Sequence, residues 1–147
     1  MLTLPQSMLE SIEVQAREAH PMECCGIIAG PEGTREPTRL IPMYNAAQSR
    51  DFFEFAPLEQ LRVWREMEMR REEPLVIYHS HTCSRPYPSR TDIEYAAAHP
   101  EALHLIVCTD PRFTPAIRCY RIQQDEVYEV PLAFTSPTQS LSDRVVQ

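Results

Sequence analysis

No stretch of this sequence approaches the roughly 18 consecutive apolar residues that cross a bilayer, and its N-terminus lacks the basic-then-apolar pattern of an export signal. A cytoplasmic protein with no membrane partner is therefore expected. Basic residues are in deficit as well, 14 against 21 acidic ones, for a formal charge of −7. A general nucleic-acid binder needs a basic face, so no nucleic-acid partner is expected. The five cysteines, Cys24, Cys25, Cys83, Cys108 and Cys119, are odd in number and include no CxxC pair. That argues against a disulfide framework and against a four-thiolate zinc site, and leaves most of the thiols as small buried apolar groups.

What is present is an ordinary globular composition, 43% hydrophobic and 24% charged, over 147 residues, a length that suits one domain. Residues 7–19 read as a helix, with Ser7 and Glu10 in a capping-box pattern and Leu9, Ile12, Ala16 and Ala19 in one apolar stripe. Pro21 ends it. "CCGIIAG" (24–30) reads as a buried strand, followed by a turn at Pro31-Glu32-Gly33. Strands are expected over 38–46, where Pro42 marks a free edge or a bulge, and over 51–55. Pro57 opens a second helix to about Glu72, with Leu58, Leu61, Trp64, Met67 and Glu68 at helical spacing and Arg62, Arg65, Glu66 and Arg70 on a solvated side. A strand over 74–81, a third helix over 89–99 and strands over 102–109, 116–122 and 126–130 complete the pattern. The expectation is a single α/β or α+β domain over 1–135 and a loose polar tail over 136–147.

The segment "HSHTCSRPYPSRTD" (79–92) directly follows the apolar run "PLVIY". On a strand, residues i and i+2 share a face, so His79 and His81 can converge on one ion. Asp92, in the first turn of the next helix, offers an anionic oxygen. Two imidazoles and one carboxylate leave a tetrahedral zinc with one open position, the arrangement of a catalytic site. Each piece has a plainer explanation. A His-x-His pair on a strand is commonly just hydrogen-bonded, and Ser89 with Asp92 alone makes a helix cap. Cys83 as a fourth ligand would instead close the site and make it structural. His20, His99 and His104 are scattered, so a second zinc is not expected.

Taken together, His-x-His, ten intervening residues and then Asp, with Ser three before the Asp, resemble the JAMM (MPN+) metalloprotease family. The resemblance implies one zinc per chain on His79, His81 and Asp92. It also picks Glu23, in "MECCGIIAG", as general base, and Ser89 as a donor that steadies the oxyanion. It implies a curved mixed sheet flanked by helices, similar to that of cytidine deaminases. Deaminase chemistry is not implied, because P-C-x-x-C is absent and the H-x-E at His99-Pro-Glu101 follows the end of a predicted helix. One position departs from the family: Thr82 stands where most members have proline, which predicts altered loop geometry with the chemistry kept.

"IAGPEG", "IPMYN", "EQLRVWREME", "VIYHSHT", "YPSRTD" and "YRI" are similar to an actinobacterial subgroup of that family. Its members include a hydrolase that frees cysteine from the C-terminus of a small ubiquitin-like sulfur-carrier protein. By that resemblance the partner is a carrier with a Gly-Gly-Cys tail, and Arg85 or Arg90 is a candidate to bind the cysteine carboxylate. A broader isopeptidase acting on ubiquitin-like conjugates and a non-catalytic MPN scaffold are the alternatives.

Overall fold

The computed structural model describes residues 1–136; residues 137–147, most of the expected tail, lie outside the described residues. In chain order the elements are β1 (Leu2–Pro5), α1 (Gln6–Ala19), β2 (Cys25–Pro31), β3 (Arg39–Met43), α2 (Pro57–Met69) and β4 (Glu72–His81). They are followed by α3 (Arg90–Ala96), β5 (Leu103–Cys108), β6 (Ile117–Gln123), β7 (Glu126–Val130) and β8 (Leu132–Thr135). Six strands form one mixed sheet in the order β3-β2-β4-β5-β6-β7, in which only β4 and β5 run parallel. The fold is a mixed α+β domain, as the sequence pattern predicts.

Strand β4 lies inside the sheet with both faces covered, which is why "LVIY" reads as a continuous apolar run. Val76 and Tyr78 pack toward α1 with Leu2, Leu4, Ile12, Ile28 and Leu105. Ile77 faces the other way, with Ile27, Phe53, Phe55, Val63 and Met67. Burying each such side chain contributes roughly 1.5–3 kcal/mol. Gly26 in β2 makes room for the Tyr78 ring: a Cβ at this position would lie 2.2 Å from the ring carbon Cζ. The Tyr78 hydroxyl donates to Gln15 Oε1 at 2.5 Å, and Gln15 Nε2 donates to the Cys25 carbonyl at 3.0 Å, so α1 is pinned to the middle of the sheet.

Several details differ from the sequence expectations. Residues 51–55 are extended but form no strand; their one ladder contact is the Asn45–Phe55 bridge. The Asn45 side chain occupies the backbone groups that a strand would use, donating to the Phe52 carbonyl and accepting from the Glu54 N–H. The Ser7–Glu10 capping box does not form, because α1 starts at Gln6 straight out of β1 and its N-cap is Pro5. In α2 the buried residues are Val63 and Met67, while Leu58 and Leu61 are exposed. Helical period alone does not state which of two overlapping stripes meets the sheet.

Helix α2 ends at Met69, and Arg71 turns the chain with a positive φ of 55°. Strand β4 therefore begins at Glu72, where Arg39 joins Glu72 at 2.7 Å and Glu66 at 2.8 Å. Pro42 sits on β3, the edge strand, as expected. The terminal strands β1 and β8, which the sequence pattern does not reveal, pair in parallel as a separate two-stranded sheet.

Candidate metal centre

The alternation of β4 sends Tyr78 toward α1 and both His79 and His81 to the opposite face. There Phe53 stacks on the His79 ring, with centroids 4.6 Å apart. Asp92 reaches the same point from the first turn of α3. A capping box fixes that turn: Ser89 Oγ accepts the Asp92 N–H at 3.1 Å, and Asp92 Oδ2 accepts the Ser89 N–H at 2.9 Å. The helix-cap explanation of this pair is thus correct, and the same cap positions the carboxylate.

His79 Nε2 and His81 Nε2 lie 3.1 Å apart, and each is 3.0 Å from Asp92 Oδ2. All three residues are buried. His81 Nδ1 donates to the Arg85 carbonyl at 2.8 Å, which fixes its tautomer and leaves the Nε2 lone pair for a ligand. Burial holds His79 below its ordinary value, hence neutral, against the pull of Asp92. Burial alone would raise the Asp92 carboxyl, but His79, the adjacent His81 imidazole and the Ser89 N–H outweigh it and hold it well below the usual carboxylate range.

These donors fit a zinc ion. A tetrahedral zinc with bonds of 2.0–2.1 Å needs its ligand atoms about 3.3 Å apart, so the three need to spread by only about 0.3 Å. Among the described residues, His79, His81 and Asp92 are the cluster able to hold a metal. Cys83 is exposed and outside it, which removes the closed four-ligand alternative. Three buried polar side-chain atoms have no hydrogen-bond partner among the described residues: Glu23 Oε1, His79 Nδ1 and His104 Nε2. An unpaired buried polar atom costs roughly 1–3 kcal/mol, and all three belong to this region.

Glu23 lies just before β2 and is only 3% exposed. Its N–H donates to the Ser49 carbonyl, and its carbonyl accepts from Asn45 Nδ2 at 3.0 Å. Burial pushes its carboxyl up to about 9, with the like charges of Asp92 and Asp51 adding to the shift. Thr82 donates to the Arg50 carbonyl at 3.3 Å, a contact for which proline has no group, and so ties the segment carrying Ser49 and Asp51 to the end of β4. Asn45, Phe53 and Asp51 are functional neighbours that sequence reasoning missed, because no motif connects them to the histidines. His104, read from sequence as scattered, lies within electrostatic reach of His79 and Asp92, and burial holds it down at about 4.

A helix-flanked mixed sheet with two histidines at the end of an inner strand and a carboxylate from the next helix defines a domain with a two-histidine–one-carboxylate site. The model of prokaryotic homologs of the JAB domain matches residues 5–123, and the chain belongs to this JAB/MPN family. The CysO-cysteine peptidase of Mycobacterium tuberculosis is 43% identical over 132 residues, 90% of each chain. The desampylase of Haloferax volcanii is 36% identical over 118 residues, 77% of this chain and 84% of the relative. A solved protein of Desulfitobacterium hafniense superposes with a TM-score of 0.77 at 29% identity, covering 92% of this chain and 94% of its own. A JAB1/MPN domain protein of Archaeoglobus fulgidus shares the fold, with a TM-score of 0.57 at 21% identity over 92% of this chain and 99% of its own.

Proposed function

We propose that this chain is a zinc-dependent peptidase. Its reaction is hydrolysis of the amide between the C-terminal glycine of a small ubiquitin-like sulfur carrier and cysteine, releasing free cysteine for biosynthesis. The observation that carries this reading is the convergence of His79, His81 and Asp92 within 3.1 Å, beside a buried Glu23, in a chain so similar to a CysO-cysteine peptidase. A non-catalytic scaffold has no need for that set; the unpaired Glu23 oxygen would then be cost without return.

His79, His81 and Asp92 would hold the zinc, which when bound supplies Lewis acidity at the scissile carbonyl and acidifies water. Glu23, ionised once the charge of the bound ion offsets its burial, would take the proton of the attacking water and pass it to the departing cysteine nitrogen. Water oxygen joins the glycine carbon, the C–N bond breaks, and the carrier is left with a glycine carboxylate. Ser89 Oγ already accepts the Asp92 N–H but keeps its own proton free, so it can donate to the developing oxyanion. Phe53 packs against the His79 ring, and Asn45 ties its loop to the Glu23 backbone.

The desampylase relative supports a second reading, a broader isopeptidase. A panel separates the two: the zinc-loaded protein is offered a carrier ending in Gly-Gly-Cys and a lysine-linked conjugate of the same carrier. Preferential release of cysteine is expected. Efficient cutting of the lysine-linked bond with the cysteine adduct left intact would refute the proposal.

A further inference from the structure

Of the two arginines that the ligand loop offers, the structure separates one from the other. Arg90 pairs with Glu94 one turn along α3, 3.4 Å away, with 80% of its side chain exposed. Arg85 has no carboxylate partner among the described residues; its guanidinium lies over the Tyr87 ring, 4.5 Å from the centroid. Beside it is a cavity of about 340 Å³ whose walls include Arg85, Tyr87, Phe113, Arg118, Tyr120 and Glu129. Arg118 is already neutralised there, donating through Nη1 to both oxygens of Glu129 at 2.6 and 2.7 Å. The nearby Arg112 is held by Asp110 at 2.6 Å. The cavity therefore carries one uncompensated positive charge, in a chain whose formal charge is −7.

Its place is as telling as its charge. The Arg85 carbonyl accepts the N–H of His81 Nδ1, so the backbone of this residue is fixed directly behind a metal ligand. The cavity wall that carries Arg85 is stiff: Tyr120 donates its hydroxyl to the Pro86 carbonyl, and the Tyr87 and Tyr120 rings meet edge to face at 5.5 Å. A cation held on such a wall, with its fork unoccupied, is preorganised for a small carboxylate rather than for a flexible surface ion pair.

We infer that this cavity receives the free carboxylate of the departing cysteine, with Arg85 as the residue that reads it. The inference rests on the peptidase reading above and names its leaving-group subsite. It makes the enzyme selective for a C-terminal cysteine over an internal or capped one, because an amide in the same place leaves the guanidinium without its anionic partner.

The test compares a carrier ending in Gly-Gly-Cys as the free acid with the same carrier as its C-terminal amide. The zinc-loaded parent, Arg85→Ala, Arg85→Lys and Arg90→Ala are assayed side by side. The parent and Arg90→Ala are expected to prefer the acid by roughly 10–100-fold in kcat/KM, the worth of hydrogen bonds to a charged group. Arg85→Ala should bring the two substrates within a few-fold, and Arg85→Lys should keep part of the preference. Binding of both carriers to Glu23→Gln and to Glu23→Gln/Arg85→Ala, read by fluorescence anisotropy, should show the same loss without turnover. Zinc content should stay at the parent level, since the Arg85 carbonyl and not its side chain holds His81. An acid preference that survives Arg85→Ala, or equal losses on both substrates, would overturn the assignment while leaving the peptidase reading intact. A parent that leaves the cysteine adduct uncut would remove that reading, and this inference with it.

Discussion

Replacing Glu23 by glutamine should have two opposite effects, and the second is worked from the fold. In the metal-free protein this carboxyl sits at about 9 against an ordinary 4.5, chiefly through burial. A group raised in the folded state contributes stability below its unfolded value and loses it as pH rises toward the folded one, because the folded chain must keep a proton that the unfolded chain releases. The penalty grows by about 1.4 kcal/mol per pH unit and reaches about 3 kcal/mol at pH 7. Glutamine has the shape without the titration. Metal-free Glu23→Gln should therefore be more stable than metal-free parent at pH 7, by about 3 kcal/mol or roughly 6–12 °C in melting temperature. The gap should close near pH 4.5 and widen toward pH 9. Chelator-treated samples unfolded in urea across that range supply the measurement. Loading zinc should shrink the gap, since a doubly positive ion favours the ionised carboxylate. In the same variant, turnover should fall by roughly 10²–10⁴-fold, the contribution of a positioned base. A stability gap that does not vary with pH, or a more stable metal-free parent at pH 7, would refute the electrostatic reasoning.

Asp92→Asn keeps the shape of the third ligand but removes its charge; metal analysis should show much weaker zinc retention and near-complete loss of activity, whereas Cys83→Ser should leave zinc content unchanged. Gly26→Ala should destabilise the fold by about 2–3 kcal/mol in chemical denaturation, because the new methyl meets the fully buried Tyr78 ring, which Gln15 keeps from moving aside.

Much of the site was legible because its chemistry is local in sequence. His79 and His81 share a face by strand period, and Asp92 follows through a capping pattern that survives intact in the structure. Glu23 was not legible that way. It lies 56 residues before His79 and joins the histidines only because β2 pairs antiparallel with β4, bringing Cys25 opposite His79. No periodicity encodes that register, and only the family resemblance singled Glu23 out. The same holds for β1 and β8, two four-residue strands whose pairing joins the two ends of the described chain. Alternation in "DFFEF" was real, since Phe53 and Phe55 are both buried, yet it did not make a strand. Burial follows side-chain period, whereas a ladder needs free backbone partners, and the Asn45 side chain had taken those.

The departure at Thr82 shows how an irregular position can serve the site. Proline there would remove the hydroxyl that reaches the Arg50 carbonyl, and with it one of the ties on the segment from Ser49 to Asp51. That segment accepts the Glu23 N–H through Ser49 and sets a like charge near the Glu23 carboxyl through Asp51. Position and proton affinity of the proposed base therefore depend on one loop, and Thr82 joins that loop to the end of the strand bearing the histidines. Within this chain, the residue that departs from the family pattern links the strand of the proposed metal ligands to the loop of the proposed base.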